Sequence, residues 1–177
     1  MRLTGRKALF RRQAGFTLVE LLVVIALMGI ISLGAAISTG QLLNQTSRDS
    51  HYVMAGHNAA NAAYWIGRDA LMAQRVSGWQ TFPATTALTL SWTEWDNSTH
   101  SANYTVANGV LTRVYSNGSS VARTVIAEDI STVADKTYCS LSTDNMTLSL
   151  TVTSSVGGGD RAMEVTQIRS ITCRPKL

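Results

Sequence analysis

The sequence predicts an α+β protein, a long N-terminal α-helix packed on a C-terminal antiparallel β-sheet. Three observations predict it. A basic leader runs into a long apolar segment, Phe16 to Ile37. No proline follows until Pro83, and residues with helical spacing fill the interval. Beyond Pro83, apolar–polar alternation with Asn-Gly punctuation takes over, the pattern of strands joined by tight turns.

Residues 1–15 carry Arg2, Arg6, Lys7, Arg11 and Arg12 and no acidic side chain. Removing these five charges from the formal +4 leaves −1 for the remainder. The high pI is therefore the leader's, and a general nucleic-acid-binding surface is not expected. Positive charge ahead of an apolar run marks the cytoplasmic flank of a membrane segment, which puts everything after Ile37 across the membrane. Residues 16–37 would form a helix of about 33 Å at ~1.5 Å per residue. That spans a hydrocarbon core about 30 Å thick. Glu20 interrupts the run. A carboxylate inside a membrane helix costs roughly 2.5–3.5 kcal/mol on insertion scales, so a partner for it is expected. A conventional signal peptide cut after Gly34-Ala35-Ala36, or an uncleaved anchor, is the alternative. The length of the run and the charge inside it argue against the former.

The second half of the helix, residues 38–76, is expected to be amphipathic. Apolar or small residues recur at Leu42, Thr46, Val53, Gly56, Ala60, Ala63, Gly67, Ala70 and Gln74, a stripe at alternating spacings of three and four. Arg48, Asp49, Asn58, Asn61 and Arg68 fall on the opposite face. Ser77-Gly78 is expected to end the helix. Gly29, Gly34 and Gly40 each weaken it by about 1 kcal/mol relative to alanine.

Residues 77–177 read as a β-rich head. Strands are expected at 87–92, 104–107, 110–115, 121–126, 130–133, 146–152 and 163–173, in one sheet of five to seven strands. Asn108-Gly109 between alternating runs predicts a two-residue type I′ hairpin. Its register sets Val106 opposite Leu111 and Tyr104 opposite Arg113. A sheet with one apolar face needs a cover, which the helix supplies.

No catalytic constellation emerges, so no enzyme, cofactor or metal is expected. His51, His57 and His100 read as solvated. Asp144 and Asn145 with Gly157-Gly158-Gly159-Asp160 lack regular calcium-ligand spacing and read as a hairpin tip. Trp79, Trp92 and Trp95 either seal the helix–sheet junction or form an exposed platform. Cys139 and Cys173 suit a disulfide in an oxidising compartment. The bridge would close a loop of about 35 residues and contribute roughly 3–4 kcal/mol. The alternative is two buried thiols.

The stretch Gly15-Phe16-Thr17-Leu18-Val19-Glu20-Leu21-Leu22 closely resembles the N-terminal motif of type IV prepilins and type II secretion pseudopilins. The resemblance implies a pilin-like fold and cleavage after Gly15 by a prepilin peptidase, which methylates the new amine of Phe16. It also implies a single-pass inner-membrane protein whose C-terminal domain lies outside the cytoplasm, drawn later into a periplasmic or extracellular filament. The implied partners are that peptidase, other pilin or pseudopilin subunits, an inner-membrane platform protein and, indirectly, an assembly ATPase. Glu20 of one subunit would then meet the Phe16 amine of a neighbour, each lowering the other's burial cost and setting axial register. The hairpin Tyr104-x-Val106-x-Asn108-Gly109-x-Leu111-x-Arg113 and the proline-free helix resemble the larger minor pseudopilins and minor pilins. A major pilin is the alternative of the same class. A secreted or membrane-anchored β-domain that binds a ligand is the alternative of another. DNA uptake would need Arg113, Arg123, Arg161, Arg169 and Arg174 to gather at one tip.

Overall fold

The computed structural model describes residues 17–78, 87–133, 135–142, 147–159 and 162–175. Among them one helix, α1 (Leu18–Met72), precedes eight strands. These are β1 (Arg75–Ser77), β2 (Leu88–Thr93), β3 (Thr99–Ala107), β4 (Val110–Ser116), β5 (Val121–Ala127), β6 (Tyr138–Leu141), β7 (Thr147–Val156) and β8 (Met163–Thr172). Every pairing is antiparallel. β1 to β5 form one meander and β6 to β8 a second.

The single sheet expected from alternation is thus two. The stretch 130–133, read as a strand, explains why. Ile130 N–H donates to Gly109 O (2.8 Å), while Ser131 N–H donates to Thr153 O (2.8 Å). Ile130 makes an isolated bridge to Ser154. The segment's backbone groups are divided between the two sheets, so it extends neither. The hairpin follows expectation. Asn108 (φ 51°) and Gly109 (φ 78°) are both left-handed, as a type I′ turn requires. Val106 faces Leu111 and Tyr104 faces Arg113.

The chain divides into two compact units, residues 1–45 and 46–177. In the first, every described residue is exposed. In the second, Ala62, Ala63, Ile66 and Ala70 of α1 share a core with Leu88, Leu90, Tyr104 and Leu111 of one sheet and Leu148, Leu150, Val152 and Ile171 of the other.

The buried face of α1 is Ala55, Ala59, Ala62, Ala63, Ile66, Gly67, Asp69 and Ala70. The expected stripe is right at Ala63, Gly67 and Ala70, but Val53 is exposed. Asn61, expected on the polar face, turns inward and donates from Nδ2 to Ile126 O (2.6 Å). Alanines surround this part of the helix, so size rather than apolarity selects the face. At Gly67 a Cβ would already touch the Ile171 side chain at 3.9 Å.

α1 stops at Met72, four residues before the expected Val76. Gln74 N–H donates to Ser91 O (2.9 Å), and Val76 pairs with Leu90. The last expected turn of helix is an edge strand instead, because pairing with β2 satisfies backbone groups that a frayed helix end leaves open.

Candidate functional site

Gly15 and Phe16, the expected cleavage and methylation positions, lie outside the described residues. The described chain opens at Thr17, which caps α1. Glu20 N–H donates to Thr17 Oγ1 (3.3 Å). Glu20 Oε2 in turn accepts from Thr17 N–H and from Thr17 Oγ1, each at 3.1 Å. This is a reciprocal capping box, in which each residue satisfies an N–H that the first helical turn leaves without a partner. The signal was present in the sequence as Thr17-x-x-Glu20, although the residue was read there only as a partner for another chain. Oε1 of Glu20 has no partner among the described residues.

Beyond the cap, as far as Ile37, the helix is apolar on all sides. An 18-residue window within α1 reaches a mean hydropathy of 2.6 with none of it buried. Ile30 and Ile31 are each 69% exposed. The few hydroxyls are satisfied within the helix: Ser38 Oγ donates to Gly34 O and Thr39 Oγ1 to Ala35 O, both at 2.9 Å. A helix that is hydrophobic all round belongs in lipid or among other helices.

In the second unit a polar cluster fixes α1 to the first sheet. Asp69 Oδ2 accepts from Arg113 Nε (2.6 Å) and from Tyr104 Oη–H (2.6 Å). Tyr104 also approaches Trp65 O at 2.9 Å. Burial opposes the Arg113 charge, but the Asp69 hydrogen bond and charge outweigh it and hold the guanidinium above its ordinary range. Burial first, then the bond to Asp69, keeps the Tyr104 phenol protonated well above its usual range. Arg68 lies over the Trp65 ring at 4.1 Å, and Arg113 lies over the Tyr115 ring at 4.7 Å. Sequence reasoning missed Asp69, since its partners lie 35 and 44 positions away.

The expected disulfide is not formed; both cysteines are buried thiols. Cys139 on β6 faces Leu150 on β7, which faces Arg169 on β8. Cys173 lies four residues beyond Arg169. Two strand spacings are about 9–10 Å, and four residues of strand about 13 Å. A disulfide needs Cα atoms within about 7 Å. Burial pushes the Cys139 thiol up to about 12. It also raises Cys173, partly opposed by a hydrogen bond from the Leu148 backbone.

The tryptophans separate. Trp92 is core, stacked on His100 with ring centroids 5.6 Å apart, whereas Trp95 is exposed and Trp79 is outside the described residues. His100, expected as solvated in a loop, lies on β3, where its Nδ1 meets Tyr115 Oη at 2.7 Å and its Nε2 meets Ser98 Oγ at 2.9 Å. The Asp144, Asn145 and Asp160 positions considered for calcium lie outside the described residues. Among the described residues no group of His, Cys, Asp or Glu could hold a metal. Of the arginines considered for DNA uptake, Arg113 is buried in the first sheet, Arg123 lies on β5, Arg169 lies on β8 and Arg174 follows β8, while Arg161 is outside the described residues.

Residues 10–36 match the family model of the prokaryotic N-terminal methylation motif. No curated protein matches the chain. Among solved structures, a type IV-like pilin from Thermus thermophilus is similar at 10% identity over 63% of this chain and 93% of that one, with a TM-score of 0.41.

Proposed function

We propose that this type IV prepilin-like chain is a structural subunit of a type IV pilus-like or type II secretion filament, and within that class a minor pseudopilin or minor pilin. The observation that carries the reading is the methylation motif over residues 10–36 together with a window of α1 that is apolar and wholly exposed. Residues 1–15 are a leader removed after Gly15, Phe16 is the methylated N-terminus, and residues 16–37 anchor the chain in the inner membrane. Residues 38–72 and 73–177 lie outside the cytoplasm as the remainder of the helix and the β-rich head.

Assembly exchanges lipid around the apolar helix for the helices of neighbouring subunits. Glu20 serves twice. Oε2 caps its own helix, and Oε1 receives the Phe16 amine of a neighbour, which sets the axial register. The platform protein and the assembly ATPase supply the work from outside this chain, which acts by assembling rather than by catalysis.

The test is the mature N-terminus, measured by mass spectrometry on protein from its native membrane. The expected chain starts at Phe16 with one added methyl, and Gly15→Ala leaves it full-length. A chain starting at Ile37 would mean an ordinary secreted protein and would overturn the reading. Scarcity in sheared surface filaments is expected for a minor subunit; abundance there would make it a major pilin.

A further inference from the structure

The loop between β2 and β3 presents a tryptophan on a rigid tip. Glu94 N–H donates to Ser98 O (3.0 Å) and Asn97 N–H to Glu94 O (3.1 Å). Asp96 Oδ1 accepts from Ser98 N–H (2.9 Å) and Ser98 Oγ–H (2.6 Å). Asn97 holds the left-handed conformation, φ 64°. On this pinned loop Trp95 is 92% exposed, whereas Trp92, three positions earlier, is 7% exposed. A large aromatic surface held in water by an ordered turn is a binding feature more than a packing one.

Beside it opens a cleft of about 580 Å³, lined among others by Gln74, Arg75, Thr93, Trp95, Asn97 and Thr99. Its polar groups fall into two sets. Some are engaged in holding the fold: Gln74 Oε1 accepts from Thr93 N–H (3.1 Å), and Glu94 Oε1 accepts from Trp92 Nε1–H (3.1 Å). The Arg75 guanidinium, the Asn97 amide and the Thr99 hydroxyl have no partner among the described residues. The open set is a planar fork, a planar amide and a hydroxyl, all beside one flat ring. Arg75 and Glu94 give the wall one charge of each sign.

We propose that this cleft binds a neutral saccharide of one or two rings. The apolar C–H face of a sugar stacks on the Trp95 indole, while its hydroxyls hydrogen-bond to Arg75, Asn97 and Thr99, a few placed polar groups around an apolar surface. A protein partner fits less well. A stable interface needs about 800 Å² from each side around a charge-depleted core, and the residues flanking Trp95 are Glu94 and Asp96.

The experiment is saturation-transfer NMR on the full chain in lipid nanodiscs, which avoids maltoside detergents whose headgroup is itself a disaccharide. The probes are cellobiose, N,N′-diacetylchitobiose, maltose and lactose. At least one should receive saturation, and Trp95→Ala should weaken it at least about tenfold. Thr99→Val should weaken it less. An unchanged melting temperature of the Trp95→Ala protein shows that the loss is not one of folding. The proposal is overturned if no probe binds at about 10 mM, or if binding survives Trp95→Ala. It is also overturned if Trp95 becomes inaccessible to a solvent quencher only on assembly while no probe binds, which would make it a subunit contact.

Discussion

Asp69 and Arg113 lie 44 positions apart in the chain and meet in the core, with Oδ2 2.6 Å from Nε. Their side chains are 4% and 10% exposed. One sits on the helix and the other on β4, so the pair joins the two layers of the head at a defined point. Tyr104 shares the same carboxylate oxygen, so the site is a network rather than a lone ion pair.

Breaking such a pair from one side leaves a buried charge without compensation. Asp69→Ala should destabilise the head by about 3–5 kcal/mol. Tyr104→Phe keeps the ion pair and should lose about 1 kcal/mol. Denaturant unfolding of the full chain measures both. An Asp69→Ala loss below about 1 kcal/mol would show that the pair does not hold the helix to the sheet.

The two roles of Glu20 are separable. Glutamine can still accept in a capping box but cannot pair with an amine as an ion. Glu20→Gln should therefore keep helix content and processing while impairing incorporation into filaments. Thr17→Ala should fray the first turn, by about 1 kcal/mol, and leave incorporation less affected. Circular dichroism and filament immunoblots read the two effects, and normal incorporation of Glu20→Gln would remove the charge from the mechanism.

Cys139 ties stability to alkaline pH. Its thiol is raised from an ordinary 9.0 to about 12 by burial. Below 9 both folded and unfolded chains hold the proton, and the stabilisation is complete. As pH rises from about 9 toward 12, the unfolded chain releases the proton and the folded chain keeps it. Stability then falls by up to about 1.4 kcal/mol per pH unit. Tyr104, also raised, adds to the loss above about 10. Cys139→Ala should flatten the slope that begins near 9, and an unchanged slope in unfolding titrations would count against a buried thiol. Non-reducing electrophoresis should show no internal bridge between Cys139 and Cys173.

Gly78 follows β1 with φ 89°. A Cβ there would lie 2.1 Å from Ala87 O. Gly78→Ala should therefore cost more than the 1–2 kcal/mol or so of a left-handed alanine alone, because the backbone must also move. Gly109→Ala, whose nearest atom would be Ile130 O at 3.6 Å, should show about that conformational cost and little more. Paired melting curves give the comparison, and equal losses would contradict the close approach.

Local chemistry was legible wherever it acts over a few residues. The Asn108-Gly109 turn, its register and most strands followed from alternation and turn residues, which are short-range constraints. The apolar helix with one acidic residue followed from an uninterrupted run. The strand β6 escaped notice because four residues, Tyr138–Leu141, are too few to show a period. The buried face of the second half of α1 was legible at Ala63, Gly67 and Ala70 but not at Val53 or Asn61, because alanine suits both a buried face and an exposed one.

The chain's order of residues accounts for the membrane helix, its Thr17–Glu20 cap and the β-rich character of the head, since each depends on neighbours within a turn of helix or hairpin. It could not show that the strands divide into two sheets, that Cys139 and Cys173 stand with β7 between them, or that Asp69 belongs to the core. Those depend on which distant segments come together. Pairing across 30 or more residues is selected by burial and hydrogen bonding of the whole head at once, and no local pattern records it.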